Sequence, residues 1–423
     1  MRRLAILLFI LCYCYITAEA QGDSTTQDFL SPFLTSFSLS GYGAMNYYNF
    51  DWQTDSAKRN AIDNERFILE MAYHWTHKLR LNAELEIEHG GTGSAVEFDR
   101  FEEFGEFEYE IEKGGEVLLE QMNLDFALST NSRLKIGRVK VPFGMMYAHD
   151  EPTEYLTATQ SEMEIQLLPE NWTDNGILWT SSLGRRKRLR YALSLTNGLD
   201  GSAFSSANWI KRGNQTRFEM VNAENFALTA RVDYMFNSQL RVGASVYAGN
   251  STGNRPKPDL AVSTPVIISE GHLDANFGAL SIKGMAMYGT IGNSEALSNQ
   301  NRNLSNNLNV KRTPVGAAAL GAYLEAGVNI TGSEGIFPTI RKESWVYGRY
   351  DYYDSMFRTQ GQIFNNPRWE RQSATVGVVF KFIDQVHIKA QYSIRKVGAP
   401  APSSINGGTL EKTITGGFAF EFN

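Results

Sequence analysis

The chain is almost without cysteine: of 423 residues only Cys12 and Cys14 carry a thiol, and both lie in the first fifteen positions. Met1-Arg-Arg3 is basic, Leu4 to Ile16 is apolar, and Ala18-Glu-Ala20 offers small residues at signal-peptidase spacing. These features predict a secretory leader over 1–20 followed by a short segment at 21–35. Both thiols leave with that leader, which excludes disulfides and thiolate metal sites from the remainder. Long hydrophobic runs are also missing. Past the leader no stretch approaches the roughly eighteen to twenty apolar residues of a membrane-crossing helix. Basic excess is absent too. Losing Arg2, Arg3 and Glu19 takes 40 Lys+Arg to 38 and 46 Asp+Glu to 45, a formal charge of −7, which argues against a nucleic-acid partner. No phosphate-binding glycine loop occurs, and no pair of histidines has metal-ligand spacing except His74 and His77 across a turn. Gly22-Asp-Ser24 imitates a lipase nucleophile segment but has neither a strand before it nor a helix after it. The expectation is therefore no enzyme, no cofactor and no bound metal.

What is present is alternation. Phe67, Leu69, Met71, Tyr73 and Trp75 oppose Arg66, Glu70 and His74, and Phe226, Leu228, Ala230, Val232 and Tyr234 oppose Thr229, Arg231 and Asp233. A period of two with one apolar and one polar face is the pattern of a strand. Sixteen such segments are predicted, at 36–50, 65–75, 79–91, 116–128, 133–142, 174–183, 189–197, 225–236, 240–249, 271–279, 281–289, 315–330, 343–353, 371–382, 386–396 and 410–422. Strands of about eleven residues, rising about 3.3 Å each and tilted about 40°, cover the roughly 25 Å apolar band of an outer membrane.

The connections are sorted by length. Joins after even-numbered strands are short, as at 76–78, 129–132, 184–188, 237–239 and 383–385. Joins after odd-numbered strands are long, as at 51–64, 92–115, 143–173, 198–224, 250–270, 290–314, 354–370 and 397–409. Only 331–342 breaks the rule. A barrel with both termini in the periplasm requires this sorting, so the predicted fold is all-β, a sixteen-stranded transmembrane antiparallel barrel over 36–423. Residues 104–112 also alternate. They are read as part of an outer hairpin pairing with the start of the 116–128 strand, because seventeen strands would leave the barrel odd; their glutamates fit a solvated face better than a cation site.

Gly137-Arg-Val-Lys-Val-Pro-Phe-Gly144 resembles the segment of the phosphate-selective porin O/P family of Gram-negative outer membranes that leads into a constriction loop folded inside the barrel. Glu120-Gln121, Arg349-Tyr-Asp351 and the aromatic C-terminus fit the same resemblance. It implies an outer-membrane porin passing small hydrophilic solutes, residence among membrane lipid and lipopolysaccharide, and a homotrimer. Phe418, Phe420 and Phe422 resemble the C-terminal signal read by the barrel-assembly machinery, with Asn423 as a departure. Pro142, Phe143 and Gly144 are the expected hinge of the inward loop, since Pro ends pairing and Gly opens positive φ.

Channel-lining and constriction candidates are Arg80, Arg138, Lys140, Arg231, Arg349, Asp351 and Lys389 on the wall, with Asp150, Glu151, Glu154, Glu162 and Glu164 on the loop. A bulge at Gly137 is expected to turn Arg138 and Lys140 into the lumen and leave Val139 and Val141 to lipid. Tyr47, Tyr48, Phe50, Trp52, Tyr73, Trp75, Tyr350, Tyr352 and Tyr353 are expected in interface girdles. The 143–173 loop holds six carboxylates and no Lys or Arg. That departs from a phosphate-selective constriction, which needs fixed positive charge, so the expected channel is non-selective or mildly cation-preferring. The alternatives are an anion-selective porin and a surface adhesion or structural barrel with a blocked pore.

Overall fold

The computed structural model describes residues 36–423 apart from 92–94, 104–105, 113–115, 216–219, 256, 258, 305–311, 338–341 and 401–403. The expected leader and the 21–35 segment lie outside the described residues. Eighteen strands run in order: β1 (Phe37–Trp52), β2 (Ala61–Thr76), β3 (Leu79–Glu88), β4 (Ala95–Glu103), β5 (Glu106–Glu112), β6 (Glu116–Ser129), β7 (Ser132–Lys140), β8 (Thr173–Leu183), β9 (Leu189–Asn197), β10 (Phe226–Met235), β11 (Leu240–Asn250), β12 (Pro265–Phe277), β13 (Leu280–Ile291), β14 (Ala318–Thr331), β15 (Ser344–Arg358), β16 (Glu370–Ile383), β17 (Val386–Val397) and β18 (Leu410–Phe422). Sixteen of them close an antiparallel barrel in which neighbours are consecutive in the chain except that β3 is followed by β6 and β18 pairs with β1. Two short helices lie in the long joins, α1 (Glu162–Leu167) and α2 (Ser294–Asn303).

The inversion of polarity across the wall explains why these segments settle as they do. On β10, Leu228 and Val232 are 56% and 47% exposed while Arg231 is 2% exposed. The apolar face looks outward and the charged face inward, the reverse of a water-soluble sheet and the arrangement that suits a lipid exterior. Closure leaves the barrel no free edge.

All sixteen predicted barrel strands occur, with shifted ends. β12 begins at Pro265 rather than 271, because a proline is tolerated as a first strand residue and Val266-Ile267-Ile268 carries the ladder on from it. β5 pairs with β4 in a separate two-stranded sheet and not with the start of β6; the alternation of 95–103 supplies its partner. The long 331–342 join does follow a strand at the short-turn end, where the β14–β15 ladder runs to Thr331 and Ser344.

The expected bulge also moves. The β7–β8 ladder passes Gly137 without a register shift, and the offset lies on β6, where Glu84 pairs with Gln121 but Leu85 pairs with Leu119. Glu120 is the extra residue, which lets both Glu120 and Gln121 turn inward. Gly137 still has φ of +132°, and a Cβ there would come 2.4 Å from the Met122 carbonyl oxygen. Val139 and Val141 do not face lipid: they are 0% and 1% exposed, Val139 against Leu178 and Ala192, Val141 in the apolar core. Arg138 stands opposite Met122, which is exposed on the outer surface.

The girdle expectation holds for one parity only. Tyr47, Trp75 and Tyr350 are 44%, 51% and 49% exposed. Tyr48, Phe50 and Trp52 form a row on the other face of β1, where the Trp52 indole N–H donates to Thr413 (3.0 Å) and Arg395 lies over its ring. Tyr353 is buried inside, its hydroxyl reaching Glu162.

Candidate functional site: the inward loop and the wall that holds it

The 141–172 loop enters the barrel where a conformationally restricted Pro142 is followed, after Phe143, by a permissive Gly144. Pro142 ends the β7 ladder, the Phe143 N–H donates back to the Val141 carbonyl (2.8 Å), and Val141 N–H donates to the Trp172 carbonyl (2.8 Å), closing the base of the loop. Gly144 follows with φ of +78°, and a Cβ there would sit 2.5 Å from a Glu164 carboxylate oxygen. Glycine is needed on both counts. Arg231 of β10 fixes the hinge by donating to the Gly144 carbonyl (2.6 Å) while its other nitrogens bind Asp233.

Beyond the hinge the loop is tied to the wall on nearly every side. Asp150 accepts from Lys140 and from the Tyr42 hydroxyl (2.9 Å). His149 meets Asp274 (3.0 Å) and Arg241. The Lys389 ammonium donates to three loop carbonyls, those of Pro152, Tyr155 and Thr157, at 2.5–2.8 Å, with the Tyr155 ring 4.4 Å away. Lys283 donates to the Glu154 carbonyl (2.6 Å). Arg349 donates to the Thr157 hydroxyl (2.7 Å) and the Thr159 carbonyl (2.9 Å) and pairs with Asp351. Asp351 in turn accepts from Ser161, the N-cap of α1 (2.7 Å). Glu162 accepts from Ser373 (2.9 Å) and lies 3.4 Å from Arg395. These partners come from β1, β7, β11, β12, β13, β15, β16 and β17, so the loop crosses the interior and does not lie over the mouth.

The titration behaviour of the loop carboxyls follows from these partners. Burial alone would raise Asp150, but Lys140 and Arg66 outweigh it and hold it below the usual carboxylate range. Glu162 is likewise pushed up by burial and brought down further by Arg395 and Ser373. Glu164 is buried within the loop, where donation from the Met145 and Met146 N–H groups (2.7 and 3.1 Å) only partly offsets desolvation, and it rises to about 7. Glu151, half-buried and close to Glu154 and Asp150, also rises to about 7.

One half of the interior is dry. Phe143, Met145, Met163, Leu167 and Trp172 of the inward loop pack against Tyr247, Val266, Ile268, Met285, Met287 and Ala319 of β11 to β14. Trp209 and Ile210 from the 198–225 join and Leu297 from α2 complete this core. Glycines on the wall admit the largest knobs: a Cβ at Gly289 would lie 2.1 Å from the Trp209 ring, and one at Gly321 2.4 Å from Met163. The other half is wet. Between β1, β2, β3, β6 and β7 lies a polar cavity of about 240 Å³.

Of the residues singled out in the sequence, Lys140, Asp150, Glu162, Glu164, Arg231, Arg349, Asp351 and Lys389 are brought together as loop anchors. Arg80 pairs with Asp125 (2.9 Å) on the wet half, and Glu154 is exposed near His149 (3.6 Å). Sequence reasoning missed His149, Tyr42, Gln391 and Arg395. The parity of β17, where Lys389, Gln391 and Arg395 share a face, holds a usable signal for the last two; nothing short of the folded loop marks His149.

Comparison with known proteins fits this architecture. No family model matches the chain. It is 26% identical over 366 residues, 84% of its length and 74% of the relative's, to an uncharacterized protein of Aquifex aeolicus (strain VF5). Among solved structures, the anion-selective porin from Comamonas acidovorans aligns over 92% of this chain and 99% of its own, with a TM-score of 0.51 and 12% identity. A loop L8 deletion mutant of OmpT, an outer membrane protein of Vibrio cholerae, aligns over the same shares with a TM-score of 0.49 and 10% identity. The chain thus has a porin-type fold, a closed sixteen-stranded antiparallel barrel. At such identities the likeness to the Comamonas porin extends to the fold and no further, and the narrower phosphate-selective O/P group is not singled out.

Proposed function

We propose that the protein is an outer-membrane channel through which small hydrophilic solutes and ions diffuse, with no fixed preference or a mild one for cations. In this reading the short turns face the periplasm, the long joins face outward, and the inward loop narrows the path. The observation that carries it is how the wall cations are used: Lys140, Lys283, Arg231, Arg349, Lys389 and Arg395 all bind loop carbonyls, hydroxyls or carboxylates. The charges of Lys140, Arg231, Arg349 and Arg395 are offset by Asp150, Asp233, Asp351 and Glu162, and the N–H donors of Lys283 and Lys389 are taken up by loop carbonyls, so neither set is free to replace the water around a phosphate. The loop itself adds carboxylates and no Lys or Arg, and Glu151 and Glu154 are left without a cationic wall partner among the described residues. The homotrimer implied by the resemblance belongs to the same proposal and is read from the mass of the detergent-extracted protein.

Reconstitution into a planar bilayer tests the channel reading, with stable stepwise conductance as the expected result. A second reading, a surface or structural barrel whose pore is blocked, has one observation in its favour, the apolar core that fills the interior beside β11 to β14. Silence at high protein loading would establish that reading instead.

A further inference from the structure

The polar cavity on the wet half lies toward the short-turn end, its Glu84 approaching the Lys140–Asp150 anchor, and its own lining charges are separated by sign. Arg80 and Glu84 are four residues apart on β3, about 13 Å at the usual strand rise, and both line the cavity. Glu70, opposite Glu84 in the β2–β3 ladder, lines the same acidic end. Lys135 of β7 lines the cavity with Arg80.

Each end keeps one group short of a partner, Glu84 at the acidic end and Lys135 at the basic one, while Arg80 is paired with Asp125. Glu84 is 3% exposed, and while one carboxylate oxygen accepts from Gln121, the other has no hydrogen-bond partner. A buried carboxylate oxygen without a donor is costly, and its cost falls when an ammonium is supplied. Lys135 makes no hydrogen bond or ion pair among the described residues. Asp125, across the ladder from it, is already bound by Arg80 and Arg133 at 2.9 Å each. Among the described residues Glu70 accepts only the Ser40 hydroxyl (2.8 Å).

We propose that this cavity is a binding site for a small zwitterion, its ammonium held by Glu84 and Glu70 and its carboxylate by Lys135 and Arg80. A simple cation would leave Lys135 unanswered, and a simple anion would leave Glu84 unanswered. At about 240 Å³ the cavity suits a free amino acid or a dipeptide and is too small for an oligosaccharide. The proposal deepens the channel reading by naming a solute class that pauses on the way through.

The test is calorimetric titration of the full-length barrel in detergent with glycylglycine, with ethylammonium and acetate as single-charge controls. Saturable glycylglycine binding is expected, with little or none for either control, and it should weaken by about tenfold or more in Glu84→Gln and in Lys135→Met. Lys135 is less deeply buried than Glu84, so its replacement keeps the test alive if Glu84→Gln fails to fold. Absence of saturable binding, ethylammonium binding as tightly as glycylglycine, or folded variants that bind as the parent does would overturn the proposal. Because binding is read without current, a barrel that conducts but does not bind sinks this inference alone, and one that binds but stays silent sinks only the channel reading.

Discussion

The two halves of the inner wall are made by the same fold and do opposite things. Toward their long-join ends β12 and β13 turn Val266, Ile268, Met285 and Met287 inward, and outward neighbours such as Ile267 are apolar too, so these stretches are greasy on both faces, whereas toward the short turns the same strands turn Glu270, His272, Asp274 and Lys283 inward. Along β3 the inward positions are Arg80, Asn82, Glu84 and Glu86. A barrel strand needs only one apolar face to meet lipid. A second apolar face therefore marks where something packs inside, and a polar one marks where water stays. The contrast lets the interior be divided before any pore is measured.

The largest blow to that division is removal of the loop. Deleting Tyr147 to Glu164 takes away Met163 on the dry side and most of the groups that occupy the wall cations, so single-channel conductance should rise several-fold while the barrel still folds. Unchanged conductance would mean that the loop does not narrow the path.

Next comes Lys389, which serves the loop rather than the solute. In Lys389→Met three carbonyls lose their donor, and loop docking should weaken by about 2–5 kcal/mol, seen as faster proteolysis within 150–160 and noisier open-channel current. Arg80→Ala on the wet half, where the ion pair is partly solvated, should cost under about 1 kcal/mol. Equal effects at the two positions would erase the distinction.

A smaller change probes the dry side directly. Gly321→Ala places a methyl against Met163, and overpacking of this kind costs about 1–3 kcal/mol. Denaturation monitored by Trp fluorescence should show it, with little change in ion preference.

The mildest expected effect is on pH. Glu151 and Glu164 have folded values of about 7, above the ordinary carboxylate range. A raised folded value means that the docked loop is favoured fully below the unfolded pKa and loses that contribution as pH rises through about 7. Asp150 and Glu162, held low, lose theirs only under stronger acid. Conductance should therefore increase modestly between pH 5 and pH 8, and Glu151→Gln with Glu164→Gln should flatten the profile. A profile that keeps its slope in the double variant would assign it elsewhere.

Much of this was legible in the sequence because strands and turns write themselves locally. Alternation located the sixteen strands, Pro142 marked where the β7 ladder has ended, and loop lengths sorted the two ends. What was not legible depends on pairs far apart in the chain. The offset at Glu120 appears only when β6 is laid against β3, so the local oddity of Gly137 drew the bulge to the wrong strand. Val139 and Val141 look lipid-facing by parity, yet both are buried, Val139 against Leu178 and Ala192 of the adjoining strands and Val141 in the apolar core that the loop completes. The role of Lys389 is hidden for the same reason, since its acceptors are backbone carbonyls more than 230 residues away, and carbonyls leave no trace in side-chain patterning.

The central claim, that the wall cations are spent on the loop, is tested most directly by the reversal potential of the reconstituted channel under a KCl gradient, followed by millimolar phosphate. The account expects a reversal potential near zero or on the potassium side, with chloride current indifferent to phosphate. A reversal potential well on the chloride side, together with phosphate block, would contradict it and show that the arginines and lysines remain available to an anion.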